Sequence, residues 1–69
     1  MDYIKGYRKN KTDNYFLLLN ILENGFIVLY SFDKGIYYAT RNYLNNCKET
    51  YNKNIVNLYS KYKNLYGED

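Results

Sequence analysis

Cys47 is the only thiol in the chain, and no histidine is present to activate it. General-base work at neutral pH falls most often to histidine, and a thiol reacts as its thiolate. Cys47 also sits at helical spacing among apolar residues, so it reads as a small core residue. The carboxylates Asp2, Asp13, Glu23, Asp33, Glu49, Glu68 and Asp69 fall at turns, termini and one helix surface, and none forms a pair. With one cysteine and no histidine, a zinc site lacks a ligand set. Gly25 and Gly35 stand alone, so no phosphate-cradling loop is read. The expectation is a non-enzymatic protein with no cofactor and no metal.

One set of residues could still do recognition chemistry. Lys5, Arg8, Lys9 and Lys11 interleave with Tyr3 and Tyr7. Cations there could neutralise phosphates, and the rings could stack on unpaired bases. The plainer reading, which we prefer, is an edge strand that charge protects from pairing with another chain. The net charge of +3 argues against an acidic mimic of DNA and permits nucleic acid without demanding it.

The elements that carry these residues follow from hydrophobic period. Residues 2–9 alternate imperfectly and read as an edge strand that Gly6 weakens. Residues 10–13, Asn-Lys-Thr-Asp, are turn chemistry. Residues 15–32 hold most of the aliphatic bulk, divided by Asn24-Gly25. A two-residue type I′ turn there would pair Glu23 with Phe26, Ile21 with Val28 and Leu17 with Phe32. One face would then carry Leu17, Leu19, Ile21, Val28, Tyr30 and Phe32. The other would carry Phe16, Leu18, Asn20, Leu22, Ile27, Leu29 and Ser31. A rival reading makes residues 12–24 a helix with Thr12 as its cap. A helix apolar all round needs burial all round, which favours the hairpin.

From Ile36 the period changes. Ile36, Thr40, Tyr43, Leu44, Cys47, Tyr51, Ile55, Leu58, Tyr62 and Leu65 recur at steps of three and four, which predicts an amphipathic helix. Unbroken, it is about 31 residues or about 46 Å long. It then overhangs its sheet, or it breaks at Asn52, Lys53 and Asn54, where propensity is weakest. The predicted fold is α+β, one βββα domain over residues 1–69. Its three-stranded antiparallel sheet of two hairpins packs on that long C-terminal helix.

Sixty-nine residues bury a modest core. In the predicted fold, Leu18, Leu22, Ile27 and Leu29 stay uncovered on the sheet's second face. Ile55, Leu58, Tyr59, Tyr62, Leu65 and Tyr66 stay uncovered on the distal helix. These ten residues are the expected partner-binding set, for a larger protein or a second copy of the chain. No membrane span and no signal peptide are read, and the lone thiol suits a reducing cytoplasm.

Three strands then a helix resembles the small DNA-binding domains of phage integrases and plant ethylene-response factors. Tyr30-Ser31-Phe32-Asp33, with Ala39 and Tyr43, looks like their "G-T-F-D … A … A-Y" passage, one residue out of step. Those families carry arginines and tryptophan on the strands, where this chain carries leucines. The overall profile also resembles small phage inhibitors of bacterial defence, of the anti-CRISPR kind. That is a resemblance of class, in size, lack of an enzyme signature and surplus apolar surface. It extends to a richness in Asn, Lys, Tyr and Ile, whose codons are AT-rich. It implies stoichiometric binding to a host nuclease or surveillance complex. The runner-up is a nucleic-acid-binding domain using Tyr3, Lys5, Tyr7, Arg8, Lys9 and Lys11.

Overall fold

A computed structural model describes residues 4–67. In chain order they form β1 (Lys5–Lys9), β2 (Tyr15–Ile21), β3 (Phe26–Ser31), β4 (Gly35–Thr40), a 3-10 segment (Arg41–Asn46), β5 (Cys47–Glu49) and α1 (Lys53–Tyr66). The expectations that concern Asp2, Tyr3, Glu68 and Asp69 lie outside the described residues. The class is α+β as read, but the sheet has five antiparallel strands in the order β4-β3-β2-β1-β5 rather than three. No helix among the described residues is long and apolar enough to cross a membrane.

The first three strands stand where the sequence places them, and residues 12–24 are not a helix. Residues 10–13 connect β1 to β2, closed by Lys9 N–H donating to Asn14 C=O at 2.9 Å. The Thr12 hydroxyl donates to Lys9 C=O at 2.8 Å, and Lys11 takes the left-handed conformation.

The central turn differs from the type I′ expectation, which needs positive φ at both Asn24 and Gly25. Only Gly25 has it, at 90°. Leu22 N–H donates to Phe26 C=O at 2.8 Å, so residues 23–25 make a three-residue connection. The register slips by one there, and a bulge between Leu18 and Asn20 slips it again. Leu17 therefore faces Tyr30 instead of Phe32. Beyond the bulge the two slips restore the side on which a residue lies, because side chains alternate with period two. Between bulge and turn the single slip moves Ile21 to the side of Ile27 and Asn20 to the side of Val28, the reverse of the expected faces. Leu17 and Leu19 still share a face with Tyr30, and Leu18 shares one with Leu29.

The long helix is not formed. Residues 36–52 hold β4, the 3-10 segment and β5, and the helix starts at Lys53, within the weak stretch. Asn52 caps it, its Oδ1 accepting from Ile55 N–H at 3.1 Å. Such a cap satisfies one of the backbone donors left open in the first turn. Nor is β1 an edge: β5 pairs with it through Tyr7–Glu49, Arg8–Lys48 and Lys9–Cys47.

Both faces of the sheet are thus covered in part, by different segments. On one side α1 lays Ile55 and Leu58 against Leu17 and Tyr30, all four buried. Ile4, Tyr15, Leu19, Tyr59 and Tyr62 surround them. On the other side Phe16, Ile27 and Leu29 are buried beneath Tyr43, Leu44 and Cys47, with Tyr7, Leu18, Tyr37 and Ala39 packed around. The expectation that this second face lies open is corrected by the 3-10 segment, which folds back across it. Burying each large side chain is worth about 1.5–3 kcal/mol.

Candidate interaction surface

The residues expected to bind a partner divide sharply. Ile27, Leu29, Ile55 and Leu58 are buried within the fold, so they form core rather than contact surface. Leu18, Leu22, Tyr59 and Tyr62 are half-buried, and Leu65 and Tyr66 are exposed. Tyr62 and Tyr66 pack edge-on to Tyr30, with ring centroids 5.3 and 5.8 Å away.

The uncovered apolar surface lies elsewhere, on β3 and β4. Side chains of Phe26, Val28 and Tyr30 share the helix side of β3 by alternation, and their partners across the ladder are Thr40, Tyr38 and Ile36. Helix α1, about 21 Å long, packs over β2 and leaves this strip bare. Tyr38 is 63% exposed, Phe26 43% and Ile36 42%. Ile36 is the ladder partner of Tyr30, on which Tyr66 also packs, so the strip runs on to the end of α1. Ile36 and Tyr38 fall outside the expected partner set because residues 36–40 read at helical period, and Phe26 because β4, which lines it up with them, is not expected. The signal lay in the Ile-Tyr-Tyr run after the Asp33-Lys34-Gly35 turn, which suits a strand.

The proposed basic set is dispersed. Lys5, Tyr7 and Lys9 alternate with Gly6 and Arg8 along β1, so the cations point to both sides of the sheet. Tyr7 stacks on Phe16 at 5.6 Å and 9°, which occupies one ring face. Lys5 lies 3.9 Å from Glu49, and Lys9 lies 5.9 Å from the Tyr43 ring centre. Lys11 stands in the β1–β2 turn.

A shallow cleft of about 360 Å³ opens at the sheet end, between the β1–β2 and β3–β4 turns. Lys9, Asp13, Ser31, Lys34, Tyr37 and Tyr43 line it. Burial, then the neighbouring Tyr43, pushes the Tyr37 hydroxyl up to about 12, so it stays protonated at neutral pH. Burial also raises the Cys47 thiol, against the opposing pull of Lys9. Its Sγ–H donates to Tyr43 C=O at 3.4 Å. A thiol held in that form is a poor nucleophile. Among the described residues no three histidine, cysteine or carboxylate side chains converge as a metal site. The cleft can hydrogen-bond a small polar group, and it carries both signs of charge.

Comparison with protein-family models, with curated proteins and with solved structures finds no match to this chain.

Proposed function

We propose that this chain is a non-enzymatic protein-binding module whose contact surface is the strip of Phe26, Ile36 and Tyr38, continued by Leu65 and Tyr66. The observation that supports it is the bare aromatic strip beside a helix that covers only part of its sheet. Adjoining exposed apolar side chains mark interaction sites more often than chance, and tyrosine and phenylalanine are enriched at such contacts. Capture with the immobilised chain tests this. A partner retained by the native chain is lost with the double variant Ile36→Lys and Tyr38→Lys, which keeps its circular dichroism. A partner retained equally by both overturns the assignment.

The finer reading is a phage or mobile-element inhibitor that binds a host defence complex of the CRISPR-Cas kind. Small size, a richness in Asn, Lys, Tyr and Ile, and a recognition surface without a reactive constellation support it. Expression in bacteria with an active interference system is expected to restore phage plating, and the double variant is expected to restore none. Full interference in the presence of the native chain, across the system types tried, sinks this reading.

Nucleic acid is served less well by the geometry, since the cations of β1 are split between two faces and Tyr7 is stacked internally. Titration with single- and double-stranded oligonucleotides is expected to show no binding at physiological salt. Binding whose salt slope falls on removing Lys5, Lys9 and Lys11 would favour the nucleic-acid function instead.

A further inference from the structure

We propose that two copies of this chain join through the free edge of β4, in an antiparallel pair centred on Tyr38, giving one continuous ten-stranded sheet. The joint takes up Ile36 and Tyr38 of the strip assigned above to a partner, and self-association of the purified chain is read without any foreign protein.

The two edges of the sheet differ. The β5 edge has three residues, of which Lys48 and Glu49 are charged and exposed. Short, charged edges resist pairing with another chain. The β4 edge is six residues long, Gly-Ile-Tyr-Tyr-Ala-Thr, with no charge, proline or bulge. It has none of the features that keep an edge single.

The backbone phase of this edge can be read from one bond. Arg41 N–H donates to Gly25 C=O at 3.0 Å, in register with the Phe26–Thr40 pair that follows. In an antiparallel ladder, hydrogen-bonded and non-bonded pairs alternate. Ala39 and Tyr37 therefore bond inward to Ile27 and Leu29. Ile36, Tyr38 and Thr40 turn their N–H and C=O groups to the free edge. The bond from Leu22 N–H to Phe26 C=O gives the same phase from the opposite side of β3. Among the described residues, no turn, loop or cap bond engages the backbone groups of Ile36 or Tyr38. Thr40, as N-cap of the 3-10 segment, already gives its C=O to that segment's first bond and would share it with the second copy.

This phase is self-complementary. A two-fold axis through Tyr38, normal to the sheet, sets Tyr38 against Tyr38 of the second copy. It also sets Ile36 against Thr40, and Thr40 against Ile36. Every outward donor of those residues meets an outward acceptor. The axis keeps the helix sides of both sheets together, so the two bare strips merge. Tyrosine and phenylalanine side chains bury roughly 150–250 Å² each when fully covered. The joint covers only the flanks of Ile36, Tyr38 and Thr40 that meet the second copy, and it leaves Phe26 on β3 uncovered. With the edge backbone, the total stays under the ~1,200 Å² of a standard interface. The expected dimer is weak and concentration-dependent.

Sedimentation equilibrium from about 10 µM to about 1 mM tests it. The native chain is expected to shift from monomer to dimer across that range. Tyr38→Pro removes an outward N–H and leaves the β3–β4 ladder bonds in place, as edge strands allow. Tyr38→Lys puts two like charges on the axis and keeps the backbone. Both are expected to remain monomeric at the highest concentration with unchanged circular dichroism. A native chain that is monomeric throughout overturns the proposal. So does a dimer that survives Tyr38→Lys, or one abolished by Leu65→Lys and untouched by Tyr38→Lys.

Discussion

At the scale of single residues, Gly6 and Tyr37 show how closely local chemistry is tied to packing. Gly6 lies under Ile55 of α1, and a Cβ built on it would approach Ile55 Cδ1 to 2.6 Å. The absent side chain is what lets the helix sit on the sheet. Gly6→Ala is expected to cost about 1–3 kcal/mol by overpacking, read as a lower urea midpoint. Pairing it with Ile55→Ala, which removes all three of the crowding carbons, is expected to cost less than the sum of the two single changes. In the sequence Gly6 reads as a weak point in a strand, because Ile55, the residue it accommodates, lies far along the chain and leaves no local signal. Tyr37 carries a pH prediction. Its hydroxyl is raised from 10.0 to about 12 in the folded chain, chiefly by burial. Tyr30 shifts in the same direction, by burial and then by Tyr66. The raised value means that the neutral form is favoured by folding. That contribution is complete below pH 10 and is lost as pH rises toward 12, because the unfolded chain ionises first. Denaturant midpoints should therefore fall between pH 10 and pH 12, and Tyr37→Phe should flatten the fall. An unchanged slope in that variant would contradict the assignment.

At the scale of elements, α1 depends on its start. Asn52→Ala removes the acceptor for Ile55 N–H and is expected to cost about 1 kcal/mol, whereas Asn52→Asp or Asn52→Ser is expected to cost little. Equilibrium unfolding of the three variants checks the order. The place of this boundary was legible, since Asn52 and Asn54 are weak helix formers and asparagine is a good cap. The two strong strands of residues 15–32 were legible too, from aliphatic bulk and one Asn-Gly. What failed was residues 36–52. Ile36, Thr40, Tyr43, Leu44 and Cys47 do recur at three and four, but three different elements supply them. Ile36 lies on the helix side of β4, while Tyr43, Leu44 and Cys47 cover the opposite side. A chain that wraps around the edge of a sheet can imitate helical period without forming a helix. Four of the ten expected contact residues are core instead: the 3-10 segment lies over Ile27 and Leu29, and Ile55 and Leu58 are the face that α1 lays on the sheet.

At the scale of the whole molecule, the sheet is assembled from both ends of the described chain. β1 is held between β2 and β5, and α1 packs over the side of β2 opposite the 3-10 segment. No contiguous half contains a complete core. A chain ending at Asn46 lacks β5 and α1, and it is expected to show no cooperative unfolding transition by calorimetry. Leu58→Asp buries an unpaired carboxylate against Leu17 and Tyr30. It should unfold the chain rather than merely detach a partner, which circular dichroism would show at once. Total stability for a domain of this length is roughly 3–10 kcal/mol, so one such change is enough.

The order of the strands has a consequence for how the chain is made. Synthesis runs at about 5–20 residues per second. The stretch from Cys47 to Tyr66, which supplies β5 and α1, therefore emerges about one to four seconds after the first four strands. During that interval the outer edge of β1 has no neighbour, and Leu17 and Tyr30 have nothing above them. The segments that shield the first strands are the last of the described elements to be translated. On a crowded ribosome, adjacent nascent chains would meet through an edge of β1 that the finished protein hides, as well as through the β4 edge that it keeps.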